Sequence, residues 1–231
     1  MYRPNNPNNT EKWESEMNEI SQEPKIVLIG AGGHGRDVLD CARVYGANII
    51  GFLDEDPSLH SKLVNGLRVF GSIEWLLDNR DTFSTLAVGN PKVKTRLANF
   101  LESNCLPVAS PIIHPNAYVS GDAKIERGTV ILAGSVLQPQ VNVGRHVYIS
   151  TLSTLGHDVV VGDFVSAHPG VQVGGETQID TGCFVGMGAK ILPMLKIGAW
   201  SVIGAGAVVT KSVPSGETWG GVPARPLHKK N

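Results

Sequence analysis

His157 is the side chain of this sequence best suited to acid–base chemistry, and Asp158 follows it directly. Imidazole gains and loses a proton near neutral pH, so a histidine can remove the proton from an attacking amine or hydroxyl group. The sequence contains a six-residue repeat, and His157 occupies neither the apolar position nor the small-residue position of that repeat. The repeat therefore does not explain why this residue is a histidine. We therefore predict that His157 acts as a general base.

A second candidate is the glycine-rich segment Gly30–Gly35, which has the form GxGxxG and follows the apolar run KIVLIG. In such a turn, backbone N–H groups and a helix N-terminus can bind phosphate oxygens. Asp54, at the end of the next predicted strand, is placed where dinucleotide-binding folds carry a ribose-binding carboxylate. This pattern alone also fits an NAD-dependent oxidoreductase, which is the alternative from another enzyme class.

The elements that must position these groups are set by an internal repeat of six residues. The repeat begins at Ile113, and every sixth residue from there to Val209 is apolar: Ile113, Val119, Ile125, Ile131, Leu137, Val143, Ile149, Leu155, Val161, Ala167, Val173, Ile179, Val185, Ile191, Ile197, Ile203 and Val209. A period of six residues indicates a β-solenoid in which each hexad supplies a strand and a turn. Cys183 occupies a small-residue position of the repeat, so we interpret it as a corner filler and not as a nucleophile.

The segment before the repeat alternates between strand and helix patterns. Strands are predicted at 25–30, 48–53, 67–70 and 84–88, and helices at 33–45, after Ser72, and from Pro91 to about Ser103. This alternation predicts a parallel sheet. The segment has fewer than about ninety residues, which is too few for both βαβαβ halves of a dinucleotide-binding fold. It therefore suits the binding of a mononucleotide, such as the nucleotide part of a sugar nucleotide.

Composition excludes several other classes. The 231 residues carry a formal net charge of −1 without long basic runs, which argues against nucleic-acid binding. The three cysteines, Cys41, Cys105 and Cys183, have neither disulfide-framework nor zinc-site spacing, and no metal is expected. No apolar run is long enough to span a membrane, so we expect a cytoplasmic protein without membrane insertion. Residues 1–23 are polar and are predicted to form a mobile extension.

The motifs GAGGHG, FLDED and AVGN, the hexad array and the closing GVPAR together resemble the two-domain bacterial sugar acyltransferases. That family comprises sialic acid O-acetyltransferases and N-acetyltransferases of nucleotide-linked 4-amino sugars, and the likeness covers about residues 24–226. The resemblance implies a Rossmann-like α/β half-domain at 24–110, which binds the nucleotide sugar. It also implies a left-handed parallel β-helix at 111–231, with three hexads in each coil and a C-terminal tail.

The resemblance also implies the roles of individual residues. The positions that match the family's site are Gly32, Gly33, His34, Asp54, Glu55 and Gly89 for the substrate, His157 and Asp158 for catalysis, and Ser166, Gly175, Met187 and Ala205 for CoA. Asp158 would then raise the basicity of His157. The family often has a histidine where this chain has Ser166, and His168 lies two positions later, so either the serine replaces it or the local geometry differs. His114 and His146 are predicted to be surface residues.

The expected activity is N-acetylation of a nucleotide-linked amino sugar, with acetyl-CoA as cosubstrate, by a homotrimer whose sites lie between subunits. O-acetylation of the sialic acid type is the alternative within the enzyme class, because the same base serves both reactions. A non-catalytic β-helical assembly protein is the alternative outside it, and the His157-Asp158 pair argues against that alternative.

Overall fold

A computed structural model of the protein describes residues 24–227. The predicted mobile extension at 1–23 and the last four residues lie outside the described residues. Within them, an α/β part is followed by a left-handed parallel β-helix, which confirms the predicted fold class.

The α/β part is built on a five-stranded sheet of order β3-β4-β2-β1-β5. Its strands are β1 (Ile26–Ile29), β2 (Ile49–Leu53), β3 (Leu63–Val64), β4 (Leu67–Gly71) and β5 (Phe83–Leu86). Its helices are α1 (Gly33–Tyr45), α2 (Trp75–Asp78) and α3 (Pro91–Ser103), with a short 3₁₀ turn at Pro57–Leu59. The pairs β1/β2, β1/β5 and β2/β4 are parallel, as the alternation predicts.

One pairing in this sheet was not predicted. β3 and β4 form an antiparallel hairpin, and its two-residue turn consists of Asn65 and Gly66, both with positive φ. Asn-Gly between apolar residues is a strong local hairpin signal, because both central residues of a type I′ turn need positive φ. The sequence Asn65-Gly66 therefore contained a local signal from which the β3–β4 hairpin could have been predicted.

The β-helix consists of seventeen two-residue strands, one for each hexad. These strands, β6 to β22, are Ile112–Ile113, Tyr118–Val119, Lys124–Ile125, Val130–Ile131, Val136–Leu137, Asn142–Val143, Tyr148–Ile149, Thr154–Leu155, Val160–Val161, Ser166–Ala167, Gln172–Val173, Gln178–Ile179, Phe184–Val185, Lys190–Ile191, Lys196–Ile197, Val202–Ile203 and Val208–Val209. The second residue of every strand is the apolar residue of the repeat. The period of six therefore correctly predicted one short strand in each hexad, at its apolar residue.

Three hexads complete one coil, so each strand from β6 to β19 pairs in parallel with the strand three places later; Leu137 opposes Leu155 and Val143 opposes Val161. The three faces are sheets of six, five and eight strands. The eight-stranded sheet includes β6, β9, β12, β15, β18 and β21, and it ends in β23 (Thr218–Gly220) and β24 (Arg225–Pro226).

The α/β part packs on the eight-stranded sheet, and the two parts share apolar clusters. One cluster joins Leu39 of α1 to Ile112 and Tyr148 of the β-helix. Another joins Leu97 of α3 to Phe164 at a coil corner. The domain boundaries expected from the sequence stay a prediction, but this contact holds the two parts of one chain against each other.

Candidate active site

His157 and Asp158 form the turn between β13 (Thr154–Leu155) and β14 (Val160–Val161), at the corner between the six-stranded and five-stranded sheets. Asp158 has φ 58°, a left-handed conformation that aspartate tolerates better than most residues. The backbone N–H of His157 donates to Gln138 Oε1 at 3.1 Å, and its carbonyl accepts from Glu176 N at 2.9 Å. The neighbouring coils on both sides therefore fix the backbone of His157.

The two side chains interact directly, with 2.8 Å between His157 Nδ1 and Asp158 Oδ2. An ionised carboxylate only accepts hydrogen bonds, so Nδ1 carries the hydrogen and Nε2 is left as the proton acceptor. The side chains are 58% and 50% exposed, so the pair lies on an open surface of the single chain. The geometry suits removal of a proton from a molecule that approaches from outside.

Gly175 lies beneath the imidazole of His157, one coil further along the β-helix. A Cβ added at Gly175 would stand 2.7 Å from His157 Nε2, closer than atoms of real side chains approach. Gly175 was predicted as a CoA contact, and the structure places it against the predicted base. The absence of a side chain at Gly175 therefore leaves the room in which the His157 ring lies.

The other two predicted CoA positions, Met187 and Ala205, lie at a different corner. Met187 is in the turn between β18 and β19, and Ala205 is in the corresponding turn one coil later. This corner borders the opposite edge of the six-stranded sheet from His157. Met187 is 60% exposed, and Ala205 is also exposed. One face of the β-helix thus separates the two groups of predicted CoA residues.

Ser166, the fourth predicted CoA residue, is fully buried, and its Oγ donates to the carbonyl of Gly89 at 2.9 Å. In this structure its side chain therefore has no surface to offer to CoA, and it connects the β-helix to the α/β part instead. The ring of His168 packs against Phe184, with 4.4 Å between the ring centres, and against His34, with 5.5 Å between them. Which residue takes the place of the family's CoA-proximal histidine stays a prediction.

The predicted phosphate-binding residues Gly32 and Gly33 are exposed at the N-terminus of α1, with open space where a Cβ would stand. Asp54 lies beside them, but its carboxylate already accepts from Ala31 N at 2.7 Å and from Asp56 N at 2.9 Å. Asp54 therefore braces the glycine-rich turn. Glu55 is paired with Arg96 at 3.8 Å on the exposed surface, where such a pair contributes little stability.

His34 and Gly89 come together at a cleft between the α/β part and the β-helix. A Cβ at Gly89 would stand 2.5 Å from the His34 ring, so the two are in close contact. Burial lowers the pKa of His34 below its ordinary value, which favours a neutral ring. The cleft has a volume of about 650 Å³ and is lined by His34, Gly89, Asn90, Pro91, Lys92, Gly182, Phe184, Trp200 and Val202. Aromatic, amide and cationic groups of this kind suit a polar ring compound.

The prediction that His146 is a surface residue is wrong. His146 is 3% exposed, and its ring stacks on Phe164 with 5.7 Å between the ring centres. Burial lowers its pKa to about 4, so it is neutral near pH 7. His114 is half-buried and accepts from Asn116 N through Nδ1 at 3.0 Å. Cys183 is fully buried and burial raises its pKa to about 11, which agrees with its interpretation as a corner filler.

Within one chain, the cleft and the His157-Asp158 pair are not brought together. The cleft lies at the corner between the five- and eight-stranded sheets, where Trp200 precedes β21, whereas His157 lies at the corner between the six- and five-stranded sheets. Trp200, which lines the cleft, and Gln138, which binds the backbone of His157, were not predicted from the sequence. Both are polar or aromatic residues at non-apolar positions of the repeat, which is the same signal that singled out His157.

Comparison with known proteins decides the family. A family model described as the PglD N-terminal domain matches residues 25–101. The GDP-perosamine N-acetyltransferase of Escherichia coli O157:H7 is 31% identical over an alignment of 220 residues, which covers 87% of this chain and 96% of that protein. This chain belongs to the bacterial nucleotide-sugar acyltransferases with hexapeptide repeats. The predictions of this family and of an acyltransferase are confirmed.

Solved structures of this acyltransferase family agree over nearly the whole chain. The acetyltransferase domain of PglB from Neisseria gonorrhoeae FA1090, in complex with acetyl coenzyme A, has a TM-score of 0.81 and 31% identity, covering 89% of this chain and 100% of that one. PerB from Caulobacter crescentus, in complex with CoA and GDP-perosamine, has a TM-score of 0.82 and 27% identity, covering 90% and 99%. Among residues 24–227, no helix is long and apolar enough to cross a membrane.

Proposed function

We propose that this acyltransferase transfers the acetyl group of acetyl-CoA to the amino group of a nucleotide-linked amino sugar, of the 4-amino-4,6-dideoxy type. The observation that carries the proposal is the exposed His157 ring, with Nδ1 bonded to Asp158 and Nε2 left to accept a proton. The relatives named for CoA and GDP-perosamine support the choice of donor and acceptor.

The proposed reaction is a direct transfer. The sugar amine attacks the thioester carbonyl, so that a C–N bond forms while the nitrogen loses a proton to His157 Nε2. Asp158 stabilises the resulting imidazolium through Nδ1. The C–S bond then breaks, and the proton passes from His157 to the departing CoA thiolate. The products are an amide and free CoA, and no acyl-enzyme forms.

Acetyl-CoA is proposed to bind along the six-stranded face, with its thioester near Gly175 and the rest of the molecule reaching towards Met187 and Ala205. Gly175 is half-exposed beside the base, and Met187 offers an uncovered apolar side chain. Contacts of this kind are made largely through the backbone and apolar surface. Ser166 is not part of this proposed site, because its side chain is buried against Gly89.

The nucleotide sugar is proposed to bind at the α/β part. Gly32 and Gly33 present backbone N–H groups at the start of α1, where the helix dipole favours phosphate. Glu55 is proposed to accept a hydrogen bond from the nucleoside, and Asp54 would do so with the acceptor capacity that Ala31 N and Asp56 N leave free. His34 and Gly89 line the cleft that would receive the sugar. A neutral His34 ring donates one hydrogen bond through one nitrogen and accepts one through the other.

A second copy of the chain is needed to bring acceptor and base together, because they lie at different corners of one β-helix. We propose a homotrimer in which His157 of one copy faces the cleft of the next. Leu152 and Met194 are 68% and 72% exposed at coil corners that border the six-stranded sheet, and association would cover such side chains. Closure of the site would also exclude water from the thioester. A cytoplasmic location is part of the proposal.

Activity on two acceptors tests this function. The enzyme is incubated with acetyl-CoA and either GDP-perosamine or free sialic acid, and released CoA and product mass are measured. We expect acetylation of the amino sugar and none of the sialic acid. Acetylation of sialic acid alone would establish O-acetylation instead. Binding of NAD, but not CoA, with a rise in melting temperature would favour an oxidoreductase.

A further inference from the structure

Lys94 lies in the first turn of α3 and is buried to 1% exposure between the two parts of the chain. Its Nζ donates to the carbonyl of His146 at 3.0 Å and to the carbonyl of Val165 at 2.9 Å. Both acceptors belong to the β-helix, one coil apart. The side chain of Lys94 thus crosses from the α/β part and ends on two neighbouring coils.

Ser166 makes the reciprocal connection. It follows Val165 in the chain, and its Oγ donates to the carbonyl of Gly89, just before α3 begins. The carbonyl of Asn90, next in the chain, accepts from Lys94 N at 3.0 Å. One bond therefore runs from the β-helix to Gly89, and two run from Lys94 to the β-helix, so the segment Gly89–Lys94 is held at both ends.

This segment forms one wall of the cleft. Gly89, Asn90, Pro91 and Lys92 line it on one side, and Phe184 and Trp200 line it on the β-helix side. The width of the cleft therefore depends on the position of the start of α3 relative to the β-helix. Hydrogen bonds to fixed carbonyls define both the distance and the orientation between these two elements, which apolar packing alone does not.

A stabilising role alone does not account for a lysine here. Burying an amine costs free energy, and an apolar side chain of similar length would fill the same space without that cost. Burial lowers the pKa of Lys94 to about 7, which reports this cost. What the lysine adds over an apolar residue is a pair of directed bonds to His146 and Val165.

We propose that Lys94 and Ser166 are positioning residues whose hydrogen bonds hold the Gly89–Lys92 wall against the β-helix and so set the geometry of the acceptor cleft. These hydrogen bonds are called the clasp below. The inference rests on the proposed function for the identity of the acceptor. It gives Ser166 a role in the placement of the sugar in place of the predicted contact with CoA.

Three variants test the clasp: Lys94→Met, Ser166→Ala and, as the matched control, Glu102→Gln. Glu102 lies in the last turn of the same helix and pairs with Arg145 of the β-helix, so it is also an inter-part contact but lies far from the cleft. We expect the first two to raise KM for the amino sugar nucleotide about tenfold for each lost contact. KM for acetyl-CoA should be unchanged in all three, and Glu102→Gln should match wild type for both substrates.

Hydrogen exchange of the free enzyme provides a second readout that does not depend on turnover. The backbone amides of residues 89, 90, 92 and 93 should exchange faster in Ser166→Ala, and in Lys94→Met if that variant folds, but not in Glu102→Gln. Unchanged exchange in Ser166→Ala, or unchanged KM for the sugar despite faster exchange, would overturn the clasp. If wild type turns over no amino sugar nucleotide, the proposed function fails, whereas the exchange rates still decide whether the clasp exists.

Discussion

The imidazole of His157 rests on the Cα of Gly175, in a space that a single methyl group would fill. Gly175 does not have a positive φ, so its backbone accepts alanine without strain. What alanine would displace is the ring, and with it the 2.8 Å contact to Asp158. The proposed base is therefore positioned from below by Gly175 as well as from the side by Asp158.

Gly175→Ala should lower kcat about 10- to 100-fold at saturating acetyl-CoA, because small displacements of a catalytic group have effects of this size. Gly121→Ala is the matched control, since Gly121 occupies the same position of an earlier hexad and has no atom within 4 Å of an added Cβ. NMR of the His157 ring in the free enzyme should show a changed environment only in Gly175→Ala. Equal kcat in the two variants would contradict this role of Gly175.

His157→Asn should lower kcat about 10²- to 10⁴-fold, the range expected for the loss of a general base. Asp158→Asn should have a smaller effect, about tenfold, because the ring remains but the imidazolium loses its carboxylate. Both side chains are at least half exposed, so the melting temperature should change little. CoA release, followed by a thiol reagent, measures both rates; full turnover by His157→Asn would refute the mechanism.

Asp54→Asn should lower the free energy of unfolding by about 1 kcal/mol. Ala31 N and Asp56 N donate to different oxygens of the carboxylate, and asparagine replaces one of these oxygens with an NH₂ group that cannot accept. It should also raise KM for the nucleotide sugar, because the carboxylate braces the glycine-rich turn. Glu55→Gln should leave stability unchanged, because Glu55 is exposed. Urea unfolding and steady-state kinetics separate the effects; wild-type stability in Asp54→Asn would show that the brace is not needed.

His146 predicts a specific dependence of stability on pH. The pKa of His146 is about 4 in the folded protein, whereas an unperturbed histidine, as in the unfolded chain, has a pKa of 6.5. Between pH 4 and pH 6.5 the unfolded chain therefore binds a proton that the folded chain does not. Stability should therefore fall as pH decreases from 6.5 to 4, by on the order of 3 kcal/mol in total, and should not change on this account above 6.5.

His146→Phe removes this titration while keeping a ring to stack on Phe164. The difference in unfolding free energy between wild type and variant, measured by urea unfolding from pH 4 to 8, isolates His146 from the carboxylates that titrate in both proteins. The unfolding free energy of the variant should rise relative to that of wild type as pH falls from 6.5 to 4. A difference that is constant over this range would mean that His146 does not titrate as its burial implies.

The inward-facing positions of the repeat were predictable residue by residue because each hexad carries its own signal. An apolar residue such as Leu155 faces inward independently of the sequence elsewhere in the chain. The same holds for α1, which begins at Gly33 as the glycine-rich turn indicates. Asn65-Gly66 carried an equally local signal for the β3–β4 hairpin.

The contacts between the two parts could not be predicted in this way. Lys94 and His146 look like surface residues along the sequence, and only the packing of α3 on the coil corners buries them. The pairing of Ser166 with Gly89 joins residues 77 positions apart, so no local pattern contains it. The position of His157 at a coil corner was therefore predictable from the repeat, whereas the contacts that join the two parts of the chain were not.

The most direct test of the proposed function is acetyl transfer to GDP-perosamine by wild type and His157→Asn, followed by mass spectrometry of the sugar nucleotide and by CoA release. We predict that wild type adds one acetyl group to the sugar amine for each CoA released, and that His157→Asn does so at least about a hundred times more slowly. If no amino sugar nucleotide gains an acetyl group, or if His157→Asn matches wild type, the proposed function or its mechanism is contradicted.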